Sequence, residues 1–119
     1  MILIDTSVWI DHLRLGDETL SRLLRAENVL MHPFVIGELA LGSLKQRQAL
    51  LSDLRDLPRA PVASDSELLH FIDQVGLPGS GIGYVDAHLL ASTQLTPGST
   101  LWTRDKRLQQ VATSLGLGE

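Results

Sequence analysis

Two short apolar segments of the chain each lead into an aspartate and then into a helix-like pattern. Ile2–Ile4 stops at Asp5, and the segment 101–103 is followed by Arg104 and Asp105. Apolar residues at consecutive positions are typical of strands buried on both faces of a parallel sheet. Apolar residues at helical spacing follow each segment, as in the first half of a βαβ unit. This pairing of strand, acid and helix predicts an α/β fold.

The rest of the chain extends the same alternation. Further strands are predicted at 29–31 and 60–63, with helical patterns between them. The helix that begins at Phe34 has so few polar residues that we expect it to be largely buried. Residues 76–83 contain four glycines and a proline, which predicts a flexible loop. A length of 119 residues suits one domain over 1–119, with a parallel sheet covered by helices on both faces.

Composition excludes several kinds of site. The chain has no cysteine, so it has no disulfide framework, thiolate zinc site or cysteine nucleophile. No segment resembles an export signal or a membrane span, and we expect a cytoplasmic protein. The net charge of −4 argues against binding nucleic acid mainly through phosphate contacts, but the basic residues are clustered. The clusters are Arg22 and Arg25; Lys45 and Arg47; Arg55 and Arg59; and Arg104, Lys106 and Arg107.

Four carboxylates stand out by position. Asp5 and Asp105 follow strands, where parallel sheets covered by helices bind their ligands. Glu38 is the one acid of the apolar helix, and Asp86 follows the glycine-rich loop. Acids gathered in an apolar setting repel one another unless a cation neutralises them. Because Mg²⁺ takes oxygen ligands and assists phosphodiester hydrolysis, the four positions predict a metal-dependent hydrolase.

Each acid also has a purely structural interpretation. Asp5 could cap the first helix, and Glu38 could be an ordinary exposed helix residue. Asp86 could stabilise a helix start through the helix dipole, and Asp105 could pair with a basic neighbour such as Arg104. Each alternative is reasonable alone, but all four together at these element ends are a poor explanation.

Polar neighbours of the acids leave two interpretations open. The hydroxyls of Thr6, Ser7 and Thr103 could cap helices and strand ends, or could orient a metal-bound water. His88 lies two residues from Asp86. Because positions i and i+2 of a helix do not face each other, we do not expect His88 to be a co-ligand.

The acids lie in four motifs whose order resembles the PIN-domain family, and more narrowly its VapC-type toxins. The motifs are Asp-Thr-Ser-Val-Trp-Ile at 5–10, Glu-Leu-Ala-Leu-Gly at 38–42, Val-Asp-Ala-His-Leu-Leu-Ala at 85–91 and Leu-Trp-Thr-Arg-Asp-Lys-Arg-Leu at 101–108. The resemblance implies a PIN-like three-layer α/β/α sandwich with a central, mainly parallel sheet of four or five strands. The fifth would be an edge strand within 115–119, and it would be very short or absent.

The same resemblance implies a function. It implies an endoribonuclease dependent on Mg²⁺ or Mn²⁺ that cleaves structured RNA, such as tRNA or ribosomal RNA, and so arrests translation. It implies an antitoxin partner that blocks the site, a homodimer and a toxin–antitoxin hetero-oligomer. The residues at the family's acidic and polar positions are Asp5, Glu38, Asp86, Asp105, Thr6 and Thr103.

Two other functions remain as alternatives. A metal-dependent phosphatase could use Asp5 as a nucleophile, but enzymes of the haloacid-dehalogenase type need a second aspartate where this chain has Ser7. A PIN-like fold could also serve as a non-catalytic binding module. The presence of all four acids argues against that second alternative.

Overall fold

The computed structural model describes all of residues 1–119 as three strands and seven helices. The strands are β1 (Ile2–Ile4), β2 (Val29–Leu30) and β3 (Thr100–Trp102). The helices are α1 (Thr6–Leu15), α2 (Glu18–Arg25), α3 (Pro33–Ala40), α4 (Arg47–Arg55), α5 (Asp65–Gln74), α6 (Tyr84–Gln94) and α7 (Lys106–Ser114). Two helices follow β1, four follow β2 and one follows β3, and this mixture of parallel strands and helices confirms the α/β class.

The three strands form one parallel sheet in the order β2-β1-β3. Ile2 lies opposite both Val29 and Thr100, and Ile4 lies opposite Trp102. Successive residues of a strand point to opposite faces of the sheet. All three residues of β1 are buried, so both faces of the sheet are covered. This burial confirms the three-layer α/β/α sandwich.

The prediction of four or five strands is wrong in number, because each edge of the sheet gains only a single bridge. Beside β2, residues 60–63 form no strand, and Met31 pairs with Arg59 alone. The Met31 N–H donates to the Pro58 carbonyl at 2.7 Å, and the Ala60 N–H donates to the Met31 carbonyl at 2.9 Å. The next bond to the Ala60 carbonyl would need an N–H from Pro33, which has no amide hydrogen and begins α3, so the ladder ends there.

The opposite edge of the sheet, beside β3, also gains a single bridge. Leu101 pairs with Gly118 as an isolated bridge. The Leu101 N–H donates to the Leu117 carbonyl at 2.8 Å, and the Glu119 N–H donates to the Leu101 carbonyl at 3.1 Å. The edge strand implied by the family resemblance is therefore reduced to one residue.

Helix α3 is less buried than its apolar sequence predicts. Only Val35 and Leu39 are buried, whereas Glu38 is exposed and Leu41, just past the helix, is 90% exposed. The helix contacts α1 and α4 on one side, and its other side stays open. The core of the protein is a single cluster of 25 buried apolar residues, and Val35 and Leu39 belong to it. No helix is long and apolar enough to cross a membrane.

Candidate metal-dependent active site

Asp5 lies at the centre of a hydrogen-bond network that joins the two ends of the chain. It follows β1 directly, and only 7% of its surface is exposed. Its Oδ2 accepts a hydrogen bond from Ser7 Oγ at 2.8 Å and another from Thr103 Oγ1 at 2.7 Å. The Arg104 N–H donates to Ser7 Oγ at 3.0 Å. These bonds hold the carboxylate to the neighbouring strand β3.

Helix capping does not explain Asp5. The residue occupies the N-cap position of α1, but its side chain makes no capping hydrogen bond. The Val8 and Trp9 N–H groups donate instead to its backbone carbonyl, at 3.1 and 3.3 Å. The capping interpretation is therefore wrong, because the two hydroxyl donors bind the carboxylate.

Asp105 lies beyond the neighbouring strand, at the N-cap of α7. Its Oδ1 accepts from the Leu108 N–H at 3.0 Å, and its own N–H donates to Thr103 Oγ1 at 3.0 Å. Arg104 does not pair with it. The Arg104 guanidinium binds Asp11 and Asp17 instead, so the surface ion-pair interpretation of Asp105 is wrong for this arginine.

Two further acids reach the site from helices. Glu38 of α3 accepts a 2.6 Å hydrogen bond at Oε1 from Thr6 Oγ1. Asp86, the third residue of α6, accepts a 3.0 Å bond at Oδ2 from the Gly83 N–H. Asp86 thus also supports its helix start, as its structural interpretation suggests, whereas Glu38 is exposed, contrary to the burial expected for α3.

One pattern is common to all four carboxylates. Each has one oxygen in a hydrogen bond with the protein: Oδ2 of Asp5, Oε1 of Glu38, Oδ2 of Asp86 and Oδ1 of Asp105. The second oxygen of each accepts no hydrogen bond from the protein. A carboxylate held in this way has a fixed orientation and a free lone pair for another ligand.

Electrostatics show that the four acids share one region. Burial raises the pKa of the Asp86 carboxyl, the Gly83 N–H opposes the rise, and the negative charges of Asp5, Asp105 and Glu38 add to it. Like charges that disfavour one another's ionisation are neutralised by a cation. The side chains do not, however, gather three or more ligands around one point as they stand.

Two grooves flank the acids. A polar pocket of about 510 Å³ is lined by Asp86, Asp105, Arg107, the glycine-rich loop and two more polar residues of α7. A more apolar groove of about 710 Å³ runs between α1, α3 and α4, and Glu38 lies on its wall. The site therefore lies next to one surface suited to a polar ligand and one suited to apolar side chains.

Comparison with known proteins identifies the family. The sequence model of the PIN domain matches residues 2–114. The chain belongs to the PIN-domain family. It is 49% identical over 117 residues to Ribonuclease VapC32 of Mycobacterium tuberculosis, in both strain CDC 1551 / Oshkosh and strain H37Rv. The match covers 98% of this chain and 94% of that protein. The resemblance to VapC-type PIN domains is thereby confirmed.

Ser7 is a hydroxyl neighbour of the acids that the family resemblance does not place among the site residues of this PIN domain. Its hydroxyl donates to Asp5 and accepts from the backbone of Arg104, and Thr103 Oγ1 lies 3.4 Å away. The signal in the sequence was only its place two residues after Asp5. A local motif cannot distinguish a helix-starting serine from one that receives a bond from a residue 97 positions away.

His32 and His88 lie in the interior of the protein and not among the four acids. His32 and His88 are buried, and their rings pack against Phe34. His32 Nδ1 accepts from the Phe34 N–H at 3.0 Å and so caps α3. His88 lies on α6 with Tyr84 stacked edge-on against it. In this PIN domain they support the helices that carry Glu38 and Asp86.

Proposed function

We propose that this chain, a single PIN domain over residues 1–119, is an endoribonuclease that depends on Mg²⁺ or Mn²⁺ and acts as the toxin of a toxin–antitoxin pair. Its substrate would be structured RNA such as tRNA or ribosomal RNA. The observation that carries the proposal is the set of four carboxylates, each with one oxygen held and one free. The ribonuclease activity in the name of the 49% identical relative supports it.

The donor set fits a hard divalent cation. Carboxylate oxygens are the ligands that Mg²⁺ and Mn²⁺ prefer, and the chain has no thiolate to favour zinc. We assign the free oxygens of Asp5 and Asp86 as direct ligands. Asp105 and Glu38 would bind a second ion or hold its waters. Thr6, Ser7 and Thr103 would act indirectly, because each binds a carboxylate oxygen that we do not assign to the ion.

The metal ion and the protein would make different contributions to catalysis. A bound divalent ion would lower the pKa of a water molecule and stabilise negative charge on the phosphate. The protein's own part is orientation, because Ser7 and Thr103 fix Asp5 before the substrate arrives. Such preorganised groups need little rearrangement in the transition state.

The apolar groove is our proposed site for the antitoxin. Leu15 and Leu41 are 87% and 90% exposed, and Leu15 lines the groove together with Ile10 and Glu38. Exposed apolar side chains in a groove indicate a protein-binding surface. An antitoxin segment bound there would lie beside Glu38 and could block the site. A homodimer and a larger toxin–antitoxin assembly remain part of the proposal.

The deciding experiment compares Asp86→Asn with Asp73→Asn, which removes one carboxylate from the exposed surface of α5. Purified proteins are incubated with total bacterial RNA and Mg²⁺ or Mn²⁺, with EDTA as a control, and the products are resolved on a denaturing gel. We expect discrete fragments from the wild type and from Asp73→Asn only with metal. We expect at least a hundredfold slower cleavage by Asp86→Asn, in line with the loss of a metal ligand.

Other outcomes exclude parts of the proposal. Equal cleavage by wild type and Asp86→Asn would show that the carboxylate is not a ligand. Calorimetric titration with Mn²⁺ separates the remaining cases: binding without cleavage of any RNA would indicate a binding module. Absence of both would refute the metal site.

A further inference from the structure

Arg107 is a cation of the polar pocket with no partner in the protein. It lines the pocket together with Asp86, Asp105 and Gln110. Its guanidinium takes part in none of the three ion pairs of the chain, which involve Arg25 and Arg104. It therefore lies within the pocket of both acids without being neutralised by either.

Arg104 provides the contrast within the same motif. Its guanidinium binds Asp11 and Asp17, and these partners raise its pKa. Its five N–H donors are thus largely engaged by the protein. Three residues later in the chain, the donors of Arg107 are all unused.

The Arg107 side chain lies close to the glycine-rich loop. A Cβ atom at position 81 would overlap Nη1 of Arg107 and would lie only 2.8 Å from its Cδ. Gly81 also has a φ of +84°, a conformation that other residues rarely adopt. The absence of a side chain at this position therefore lets the arginine lie against the loop, above the pocket.

We propose that Arg107 binds a backbone phosphate of the RNA beside the bond that is cleaved. The inference rests on the proposed function, because it assumes that the pocket of Asp86 and Asp105 receives RNA. A planar guanidinium with free donors suits bidentate binding of a phosphodiester. The contact is independent of base identity, so Arg107 sets affinity and position rather than sequence preference.

An alternative is that Arg107 only balances the charge of the two acids. The geometry disfavours this alternative, because no oxygen of Asp86 or Asp105 lies within 4.0 Å of the guanidinium nitrogens. The bonded oxygens of those acids are occupied by Gly83 and Leu108. The arginine and the two acids line the pocket as separate groups.

The test is binding of a short fluorescein-labelled single-stranded RNA of mixed sequence, measured by anisotropy in Ca²⁺, an ion that also takes oxygen ligands. Arg107→Gln is compared with Arg22→Gln, which removes the same charge from an exposed and unpaired arginine of α2. We expect Arg107→Gln to weaken binding on the order of fivefold and to reduce the slope of log K against log salt by about 0.7. Arg22→Gln should match the wild type.

A third variant distinguishes charge from shape. Arg107→Lys keeps the charge and therefore the salt slope, but it loses the bidentate geometry and should bind more weakly than the wild type. Equal affinity and slope for Arg107→Gln and Arg22→Gln would overturn the proposal, as would a wild type that does not bind RNA.

Parallel cleavage assays in Mg²⁺ or Mn²⁺ keep the two proposals separate. If the wild type cleaves RNA and Arg107→Gln cleaves at the same KM, the nuclease proposal stands and the phosphate contact is refuted. If binding depends on Arg107 but no cleavage occurs with metal, the contact stands and the nuclease proposal is refuted.

Discussion

Asp5 and Glu38 show two different ways of holding a carboxylate in one site. Asp5 is buried, and two hydroxyls bind the same oxygen, one of them from residue 103. Glu38 is exposed on α3, and a single hydroxyl from Thr6 binds it. Asp5 is held next to the sheet by Ser7 and Thr103, whereas Glu38 is held at the surface of the protein by Thr6. Both acids are oriented by the protein, but Asp5 has two hydroxyl donors and is buried, whereas Glu38 has one donor and is exposed, so we expect Asp5 to be held more firmly.

Among the hydroxyl variants, the largest effect should come from Thr103→Val, which removes the hydroxyl that donates to Asp5 and accepts from the Asp105 N–H. The change leaves the Asp105 N–H without a partner and removes one of the two hydroxyls that donate to the Asp5 carboxylate, so that only Ser7 still binds it. We expect a loss of about 1–3 kcal/mol in the free energy of unfolding, measured by urea denaturation. Cleavage should fall at least tenfold.

Thr19→Val is the matched control, because Thr19 is exposed on α2. It should leave both the unfolding free energy and the cleavage rate near those of the wild type. If Thr103→Val behaves like this control, the network around Asp5 does not fix the acid and the comparison fails.

Low pH should destabilise the protein through His32, which caps helix α3, the helix that carries Glu38. Burial, together with the charges of His88 and Arg59, lowers the pKa of His32 to about 4. Between the model-peptide value of 6.5 and about 4, the unfolded chain binds a proton that the folded chain does not. The free energy of unfolding should therefore fall as pH drops through that range.

His32→Asn tests this pH dependence. Asparagine can still cap α3 but does not titrate, so the variant should lose less stability than the wild type between about pH 7 and about pH 5. Chemical denaturation at both pH values measures the difference, with the exposed His70→Asn as control. Parallel pH curves for wild type and His32→Asn would rule out His32 as the cause.

A smaller effect concerns Asp86, whose raised pKa means that its charge opposes folding at neutral pH. This unfavourable contribution to the free energy of unfolding disappears only when the pH falls below 3.8, the ordinary pKa of an aspartate. Asp86→Asn should therefore raise the melting temperature in EDTA. Mg²⁺ should raise the melting temperature of the wild type but not that of the variant. A lower melting temperature for Asp86→Asn in EDTA would contradict the burial argument.

Thr6→Val should have the smallest effect, because its bond to Glu38 is exposed. We expect a change within about 0.5 kcal/mol in the free energy of unfolding. Cleavage should fall less than it does for Thr103→Val under the same conditions. A loss of activity as large as that of Thr103→Val would show that both acids are held equally tightly.

The strands, the helices and the positions of the acids could be predicted because their signals are local. Ile2–Ile4 is apolar at each position and ends at Asp5, and the strand-end rule then places Asp5 beside Asp105. The failed strand at 60–63 has the same kind of explanation in reverse. Pro33, opposite this segment, lacks the donor that the next ladder bond would need, and β propensity alone does not account for that loss.

The hydrogen-bond partners could not be predicted, because distant groups compete with local ones. Asp5 could cap its own helix, yet its side chain binds Ser7 and Thr103. Arg104 could pair with the adjacent Asp105, yet it binds Asp11 and Asp17. Helix α3 could be buried on all sides, yet its outer face lines a groove. Each choice depends on which groups the fold brings close, and spacing in the sequence does not record this.

The bond between Thr103 and Asp5 joins residues 98 positions apart, and this separation matters while the protein is being made. A ribosome adds Thr103 only 98 residues after Asp5. Throughout that time β1 lacks its partner strand β3, which begins at residue 100. Parallel pairing between such distant segments is also slow to form. A growing chain therefore carries no finished candidate site until residue 103 has been added.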